Sequence, residues 1–237
     1  TLRLEDGSGK QRGQLISEVE AGLAYGNLAL VSHVDRGNRY GAPVCTFWDW
    51  QVTGENLRGG PEQHWGPILW TQYSVSKSVL KLSAHFPPLG AADAHQAALE
   101  VERGGTWAPL GTATIDDQAR VALFRVENWD ATQDARYRVV YDWRGATHTF
   151  EGLIRKDPVD KDEISVAGFT GNKDFGFPNR EIVRNVARLN PDLLFFSGDQ
   201  IYENVSGYGT QRSPVDVAIL DYLRKYERSF TLRSRPD

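Results

Sequence analysis

Two short polar segments, each placed directly after an apolar run, carry side chains that could bind a metal ion. The candidate ligands and their charged neighbours are Asn172, Lys173, Asp174, Asp199, Tyr202 and Glu203. Carboxylate, amide and phenolate oxygens are the ligands that hard cations prefer. Two metal ions held about 3.5–4 Å apart can clamp a phosphate and activate a water molecule for in-line attack. The chemistry open to this set is therefore metal-assisted hydrolysis of a phosphate ester.

On spacing alone, each of these residues also has an ordinary structural explanation. A Gly-Asp pair after a strand is a common turn, and the ring of Tyr202 could simply pack against its neighbours. Asn172 and Asp174 could be loop residues that satisfy backbone donors, which is the commoner role of such side chains. Glu203 and Lys173 could be solvated surface charges. Spacing therefore leaves both interpretations open.

The segments around these residues predict a β-α-β unit. Residues 164–169 form a short, mostly apolar run, and residues 193–197 form a fully apolar run, typical of a strand buried on both faces of a parallel sheet. Between them, a helical spacing of apolar residues predicts a helix over 180–189, with Asn179 as N-cap and Pro191 as the stop. The spacing consists of Ile182, Val183, Val186 and Leu189.

The predicted topology brings the two polar segments together. The crossover should be right-handed and the two strands parallel, and two parallel strands end at the same edge of the sheet. Ligands bind in the loops that leave those carboxyl ends. A second helix is predicted from Pro214 to about Tyr226, with Ser213 and Asp216 as a capping box. Its predicted apolar face consists of Val215, Ala218, Ile219, Tyr222 and Leu223.

The region before residue 157 has a different sequence pattern, in which short runs of alternating apolar and polar residues are separated by turn residues. Such runs include 79–86, 98–102, 121–126 and 137–143. Short strands at this spacing predict an immunoglobulin-like β-sandwich over 72–157. Residues 1–71 would then be the tail of an earlier β-rich module. Its aromatic residues, within 47–50 and 65–70, could bind a sugar, but a role in a core or interface is the commoner one.

Composition excludes several classes of protein. The formal net charge of −4 argues against a nucleic-acid groove. No apolar run is long enough to span a bilayer. The single cysteine, Cys45, rules out an internal disulfide framework. The chain contains no methionine, starts in mid-pattern at Thr1 and stops at Pro236-Asp237 without a final element, so we expect it to be a fragment.

Residues 164–203 resemble the alkaline phosphatase D-like (PhoD-like) metallophosphatases, within the calcineurin-like phosphoesterase superfamily. The resemblance is carried by Ala-Gly-Phe-Thr-Gly-Asn-Lys-Asp-Phe-Gly-Phe-Pro at 167–178 and by Asp-Leu-Leu-Phe-Phe-Ser-Gly-Asp-Gln-Ile-Tyr-Glu at 192–203. The second motif is the more specific. In that family, Gly-Asp-x-x-Tyr-Glu after an apolar strand supplies a bridging aspartate and a metal-bound tyrosine. The family also often places an immunoglobulin-like domain before the catalytic one.

The resemblance implies a role for each matching residue. Asp199 would bridge two metals, Tyr202 would bind a ferric ion, and Asn172 matches the asparagine after the first metal-ligand position. The implied metals are iron plus calcium, with zinc, manganese or magnesium as alternative occupants. The implied substrate is a small phosphate ester, and the implied location is periplasmic or extracellular. Gly171 departs from the family, which often has cysteine there, and Asp174 is the candidate to compensate.

The later family elements are absent. There is no Asp-Asp-His-Asp-type segment, all five histidines precede the predicted β-α-β unit, and residues 226–237 do not match the family's continuation. We therefore expect a β-sandwich followed by the truncated start of an α/β metallophosphoesterase domain over 158–237, inactive alone. The alternatives are a secreted, non-catalytic β-sandwich binding protein with a degenerate phosphatase-like remnant, and a nucleotide-binding α/β domain. The second lacks a standard glycine-rich phosphate loop.

Overall fold

The computed structural model describes residues 2–5, 8–16, 66–171, 179–205, 210 and 212–234. The chain divides into two compact units, residues 1–54 and residues 55–237. In the first unit, β1 (Leu2–Glu5) and β2 (Gln11–Leu15) form an antiparallel hairpin. Of the two aromatic segments, residues 47–50 and Trp65 lie outside the described residues, whereas Trp70 is buried, which is the commoner role of such a side chain.

The second unit begins with an immunoglobulin-like β-sandwich, as predicted. Its strands are β3 (Trp70–Ser76), β4 (Val79–His85), β5 (Gln96–Arg103), β6 (Thr106–Thr114), β7 (Val121–Val126), β8 (Ala135–Trp143) and β9 (Ala146–Ile154). One sheet has the order β3-β4-β7 and the other the order β6-β5-β8-β9, with every pairing antiparallel. The strands begin at Trp70, slightly before the expected boundary at residue 72.

Alternating inward side chains of both sheets build the sandwich core. Its most buried members include Leu80, Leu82, Leu99, Val139, Tyr141 and Ile154. The tight connections fall where the sequence predicts turns, since Gly104, Gly105, Arg144 and Gly145 all have positive φ. The predicted strands at 79–86, 98–102, 121–126 and 137–143 are therefore confirmed, with bounds that differ by a few residues.

The predicted β-α-β unit follows the sandwich. Strands β10 (Val166–Phe169) and β11 (Leu193–Phe196) are parallel, and α1 (Arg180–Leu189) lies between them in the chain. Asn190, in the left-handed conformation, caps α1 at its C-terminus. Asn179 is the N-cap residue of α1, as predicted, although its side chain makes no cap hydrogen bond.

The prediction that β11 is buried on both faces is wrong. Leu193, Leu194 and Phe195 are each about half exposed. The reason is physical: in the described part of the chain the parallel sheet has two strands, and one short helix cannot cover both of its faces. On α1, Ile182 and Leu189 of the predicted apolar face are exposed, whereas Val183 and Val186 are half-buried.

The second predicted helix, α2 (Val215–Ser234), begins directly after Pro214 and extends beyond the predicted end at Tyr226. It contacts strand β3 of the sandwich. Its predicted apolar face is only partly correct, because Val215 is 69% exposed. The most buried side chains among its described residues are instead the charged Asp221 and Lys225. Neither helix in the described part of the chain is long and apolar enough to span a membrane.

The predicted polar linker at 157–162 is fastened at both ends. The carboxylate of Asp192, only 5% exposed, accepts a hydrogen bond from Lys161 Nζ at 2.5 Å. It also accepts bonds from the backbone N–H and the hydroxyl of Ser165, at 2.9 and 3.1 Å. At the end of β9, Arg155 donates to the carbonyl oxygen of Pro191 at 2.6 Å. The sandwich is therefore tied to the amino end of β11.

This arrangement gives Asp192 a pH-dependent role. The hydrogen bond from Lys161, followed by that from the Ser165 N–H, lowers the pKa of Asp192 to about 2. Because the folded-state pKa lies below the unfolded value of about 3.9, the stabilising contribution is complete above pH ~5 and is lost progressively as the pH falls towards 2.

We predict that Asp192→Asn lowers the melting temperature at neutral pH and removes part of the loss of stability between pH ~5 and ~2. Thermal denaturation across this range measures both effects. Asp162→Asn, an exposed position on the same linker, is the control and should behave like the wild type. Identical acid profiles for Asp192→Asn and the wild type would contradict the role of this carboxylate.

A second prediction concerns a glycine in the sandwich. Gly152 of β9 lies opposite Tyr137 of β8, and a Cβ atom there would meet the Tyr137 hydroxyl at 2.5 Å. Tyr137 is buried and its hydroxyl is hydrogen-bonded to Thr71, so it cannot move aside freely. Gly152→Ala should lower the free energy of unfolding by about 1–3 kcal/mol through overpacking.

Gly168→Ala provides the matched control for this measurement. Gly168 is also a strand glycine, but a Cβ atom added there meets nothing within 4 Å. Denaturant unfolding of the control should change the free energy by less than ~1 kcal/mol. Equal effects of the two substitutions would show that the Tyr137 contact does not explain the need for glycine at position 152.

Candidate metal centre

The two loops that leave the parallel strands are joined by hydrogen bonds at one edge of the sheet. Phe169 and Phe196 are the last paired residues of β10 and β11. The backbone N–H of Ser197 donates to the carbonyl oxygen of Phe169 at 3.0 Å. Gln200 Nε2 donates to the same oxygen at 3.1 Å. The structure thus brings the end of the first strand against the loop after the second.

Gln200 holds the turn that carries the candidate carboxylate. It is the most buried residue of this loop, and its amide also donates to the carbonyl oxygen of Gly198 at 2.7 Å. Gly198 and Asp199 have φ values of 128° and 54°, so the backbone reverses sharply here. Such values suit glycine and are tolerated by aspartate more readily than by most residues. Sequence reasoning missed Gln200, because its function depends on a carbonyl group in another strand.

Asp199 and Tyr202 are in direct contact. The Tyr202 hydroxyl donates a hydrogen bond to Asp199 Oδ2 at 3.2 Å. Desolvation raises the pKa of Tyr202, and the hydrogen bond to the Asp199 carboxylate and its negative charge raise it further. The phenol is therefore held in its neutral, proton-donating form in the metal-free protein. Its proton must leave before its oxygen can bind a cation.

The first loop approaches this pair through Gly171. Gly171 has a φ of 64°, and a Cβ atom added there would lie 3.8 Å from the Tyr202 hydroxyl. A side chain at this position would therefore face the phenol, whereas glycine offers no donor. Asn172 and Asp174, the other two predicted metal ligands, lie outside the described residues, as does Lys173. Their predicted roles remain predictions.

Glu203 is exposed, as predicted, but it is not an isolated surface acid. Its carboxylate is hydrogen-bonded to the phenol of Tyr222 on α2, and this bond is the largest cause of the raised pKa of Tyr222. Its backbone carbonyl oxygen accepts a hydrogen bond from Lys225 Nζ at 2.6 Å. The loop that carries Asp199 and Tyr202 is therefore anchored to α2 at its far end.

The donor chemistry at this edge fits a hard cation in part. A carboxylate and a phenol stand within 3.2 Å of each other, and both offer oxygen ligands. Among the described residues, no group of three or more His, Cys, Asp or Glu side chains could hold a metal. The described part of the edge thus provides two oxygen donors, and a complete coordination shell requires more.

Two comparisons of the chain with known sequences found no match. No family model matches it, and no curated protein sequence does. Among solved structures, the twitchin kinase region from C. elegans aligns over 47% of this chain at 12% identity, with a TM-score of 0.30. That match spans 22% of the twitchin chain.

A second structural likeness is to the NEAT5 domain of IsdX2, a B. anthracis hemophore in complex with heme. It covers 38% of this chain and 74% of that one, at 15% identity and a TM-score of 0.24. A mutant of the same domain aligns at 16% identity, also with a TM-score of 0.24, over 37% of this chain and 71% of that chain. Likenesses at this level do not bear on what this chain does.

The contact between Tyr202 and Asp199 generates a prediction for the metal-free protein. Asp199→Ala should lower the pKa of Tyr202 towards the ordinary value of about 10, because it removes the acceptor and its negative charge. Ultraviolet titration of tyrosinate, with the Tyr202→Phe curve subtracted, isolates this group. Asp162→Ala should leave the titration unchanged. An unaltered Tyr202 midpoint in Asp199→Ala would show that the two side chains do not interact in solution.

Proposed function

We propose that the protein hydrolyses phosphate esters at a metal centre to which Asp199 and Tyr202 contribute ligands. The observation that carries the proposal is the contact between these two side chains at the carboxyl edge of two parallel strands. This is the position at which α/β folds bind ligands. The motifs at 167–178 and 192–203, which resemble those of the PhoD-like metallophosphatases, support the same assignment.

The proposed roles follow from the placement of each group. Asp199 and Tyr202 would hold the metal, together with Asn172 and Asp174 of the first loop. A bound pair of metals would supply positive charge to the phosphate and a nucleophilic water. The resemblance implies iron plus calcium, or alternatively zinc, manganese or magnesium. Tyr202 would bind the metal as its phenolate, so its hydroxyl proton, which Asp199 Oδ2 accepts as a hydrogen bond in the metal-free protein, would be released to solvent on binding. The resemblance also makes export from the cytoplasm part of the proposal.

A second candidate function is supported by one observation. Gly171 faces the Tyr202 hydroxyl but has no side chain to bind a metal. A non-catalytic, secreted β-sandwich binding protein with a degenerate phosphatase-like remnant would tolerate this loss of a ligand. The two candidates differ in whether the protein binds metal at Asp199, so one experiment separates them.

The proposed function predicts that the full-length protein binds metal and hydrolyses phosphomonoesters or phosphodiesters. Asp199→Ala should weaken metal binding by at least ~100-fold and abolish hydrolysis. Elemental analysis, titration calorimetry and hydrolysis assays measure these effects. Asp162→Ala, an exposed acid on the linker, should retain both properties. A well-folded full-length protein with neither metal nor hydrolysis would move the assignment to the binding protein.

The position of Gly171 generates a gain-of-function prediction. Gly171→Cys places a thiol near the Tyr202 hydroxyl, and thiolates bind zinc and iron strongly. Any non-glycine residue is strained here by about 1–2 kcal/mol, because φ is positive. Gly171→Ala has the same strain without the thiol and is therefore the matched control.

We expect the cysteine variant to bind zinc at least ~10-fold more tightly than the alanine variant. Titration calorimetry on the two proteins measures the difference directly. Equal zinc affinities would mean that position 171 does not border a metal site.

A further inference from the structure

Helix α2 buries charged side chains and exposes apolar ones. The Asp221 and Lys225 side chains are 5% and 2% exposed, whereas Val215, Leu220 and Tyr226 on the same helix are 69%, 43% and 39% exposed. Withdrawing two charges from water costs free energy, so a buried ion pair is weak evidence for a purely stabilising role. The burial of this pair therefore calls for an explanation beyond the packing of the helix.

The pair is held by specific contacts. Lys225 Nζ lies 2.7 Å from Asp221 Oδ2, at the i,i+4 spacing of one helical turn. Arg224 donates to the other carboxylate oxygen of Asp221 at 3.0 Å. The Lys225 ammonium also stands 5.8 Å from the ring centre of Tyr222. Asp221 and Tyr222 thus fix the direction in which the Lys225 side chain points.

Lys225 points at the loop that contains the candidate ligands. Its Nζ donates to the carbonyl oxygen of Glu203, the residue directly after Tyr202, at 2.6 Å. Tyr222, one turn earlier on α2, is hydrogen-bonded to the carboxylate of the same residue. At its other end the loop is held by Gln200, which donates to Phe169 of β10. Tyr202 therefore lies between two fixed points, one on the sheet and one on α2.

We propose that Lys225, oriented by Asp221, positions the Asp199–Tyr202 loop for metal binding through its hydrogen bond to the Glu203 carbonyl oxygen. Lys225 is a positioning residue, since it acts through the backbone next to Tyr202. The role in metal binding rests on the proposed function, but the hydrogen bond from Lys225 to Glu203 is present in the metal-free chain. A site held on both sides loses less conformational freedom when its ligands close on a cation.

The test compares the full chain with Lys225→Met, which keeps most of the side-chain volume and removes the ammonium. Hydrogen–deuterium exchange without metal should be at least ~10-fold faster in residues 199–205 of the variant, with β8 of the sandwich unchanged. Metal affinity, measured on the same samples with zinc and calcium separately, should fall by about tenfold. Lys156→Met is the matched control, because Lys156 forms an exposed i,i+4 ion pair with Asp160 at 2.9 Å.

Lys225→Arg keeps a charged donor and should restore slow exchange and metal affinity. This rescue is not expected if Lys225 only fills space in the fold. If Lys225→Met fails to fold, fast exchange of residues 199–205 in a folded Lys225→Arg overturns the proposal. So does wild-type exchange of this loop in a folded Lys225→Met. Failure of the proposed function gives a different result: neither the wild type nor any variant binds metal, although exchange in residues 199–205 is still faster in Lys225→Met. That result would overturn the metal-positioning role.

Discussion

The parallel pairing of β10 and β11 is the constraint on which the candidate site depends. Two strands that run in the same direction end at the same edge, so residues almost thirty positions apart meet there. An antiparallel pairing would place the two polar loops at opposite ends of the sheet. The Ser197 and Gln200 bonds to the Phe169 carbonyl oxygen are the direct consequence, and they set the turn on which Asp199 stands.

Three contacts that were not obvious from the motif hold the two ends of β11 in place. Asp192 fastens the linker to the start of β11, and Arg155 ties the end of the sandwich to the same place. Lys225 fastens the loop after β11 to α2, which itself contacts the sandwich. The contacts at both ends of β11 are charge-assisted hydrogen bonds, which are stronger than neutral ones.

Strict alternation and topology were predictable from the sequence, whereas contacts between distant segments were not. The run at 121–126 matches β7 because every second side chain faces the core. Strand β6 escaped notice, since Pro109 and several small residues hide its alternation. The approach of the Asp199–Tyr202 loop to Gly171 followed from the parallel arrangement of the two predicted strands. The buried face of α2 could not be predicted from the sequence, because Lys225 is buried where it donates to a carbonyl group in a separate loop. Gln200 is likewise buried where it donates to a carbonyl group at the end of β10.

The proposed function depends on metal binding by Asp199 and Tyr202 at this edge. A crystal structure of the full-length protein grown with zinc, iron and calcium, with anomalous data collected at the zinc and iron absorption edges, tests it most directly. We expect an anomalous peak about 2.0–2.5 Å from the Asp199 carboxylate, with the Tyr202 oxygen turned towards it. An ordered edge without a peak, in which the Tyr202 hydroxyl still donates to Asp199, would contradict it.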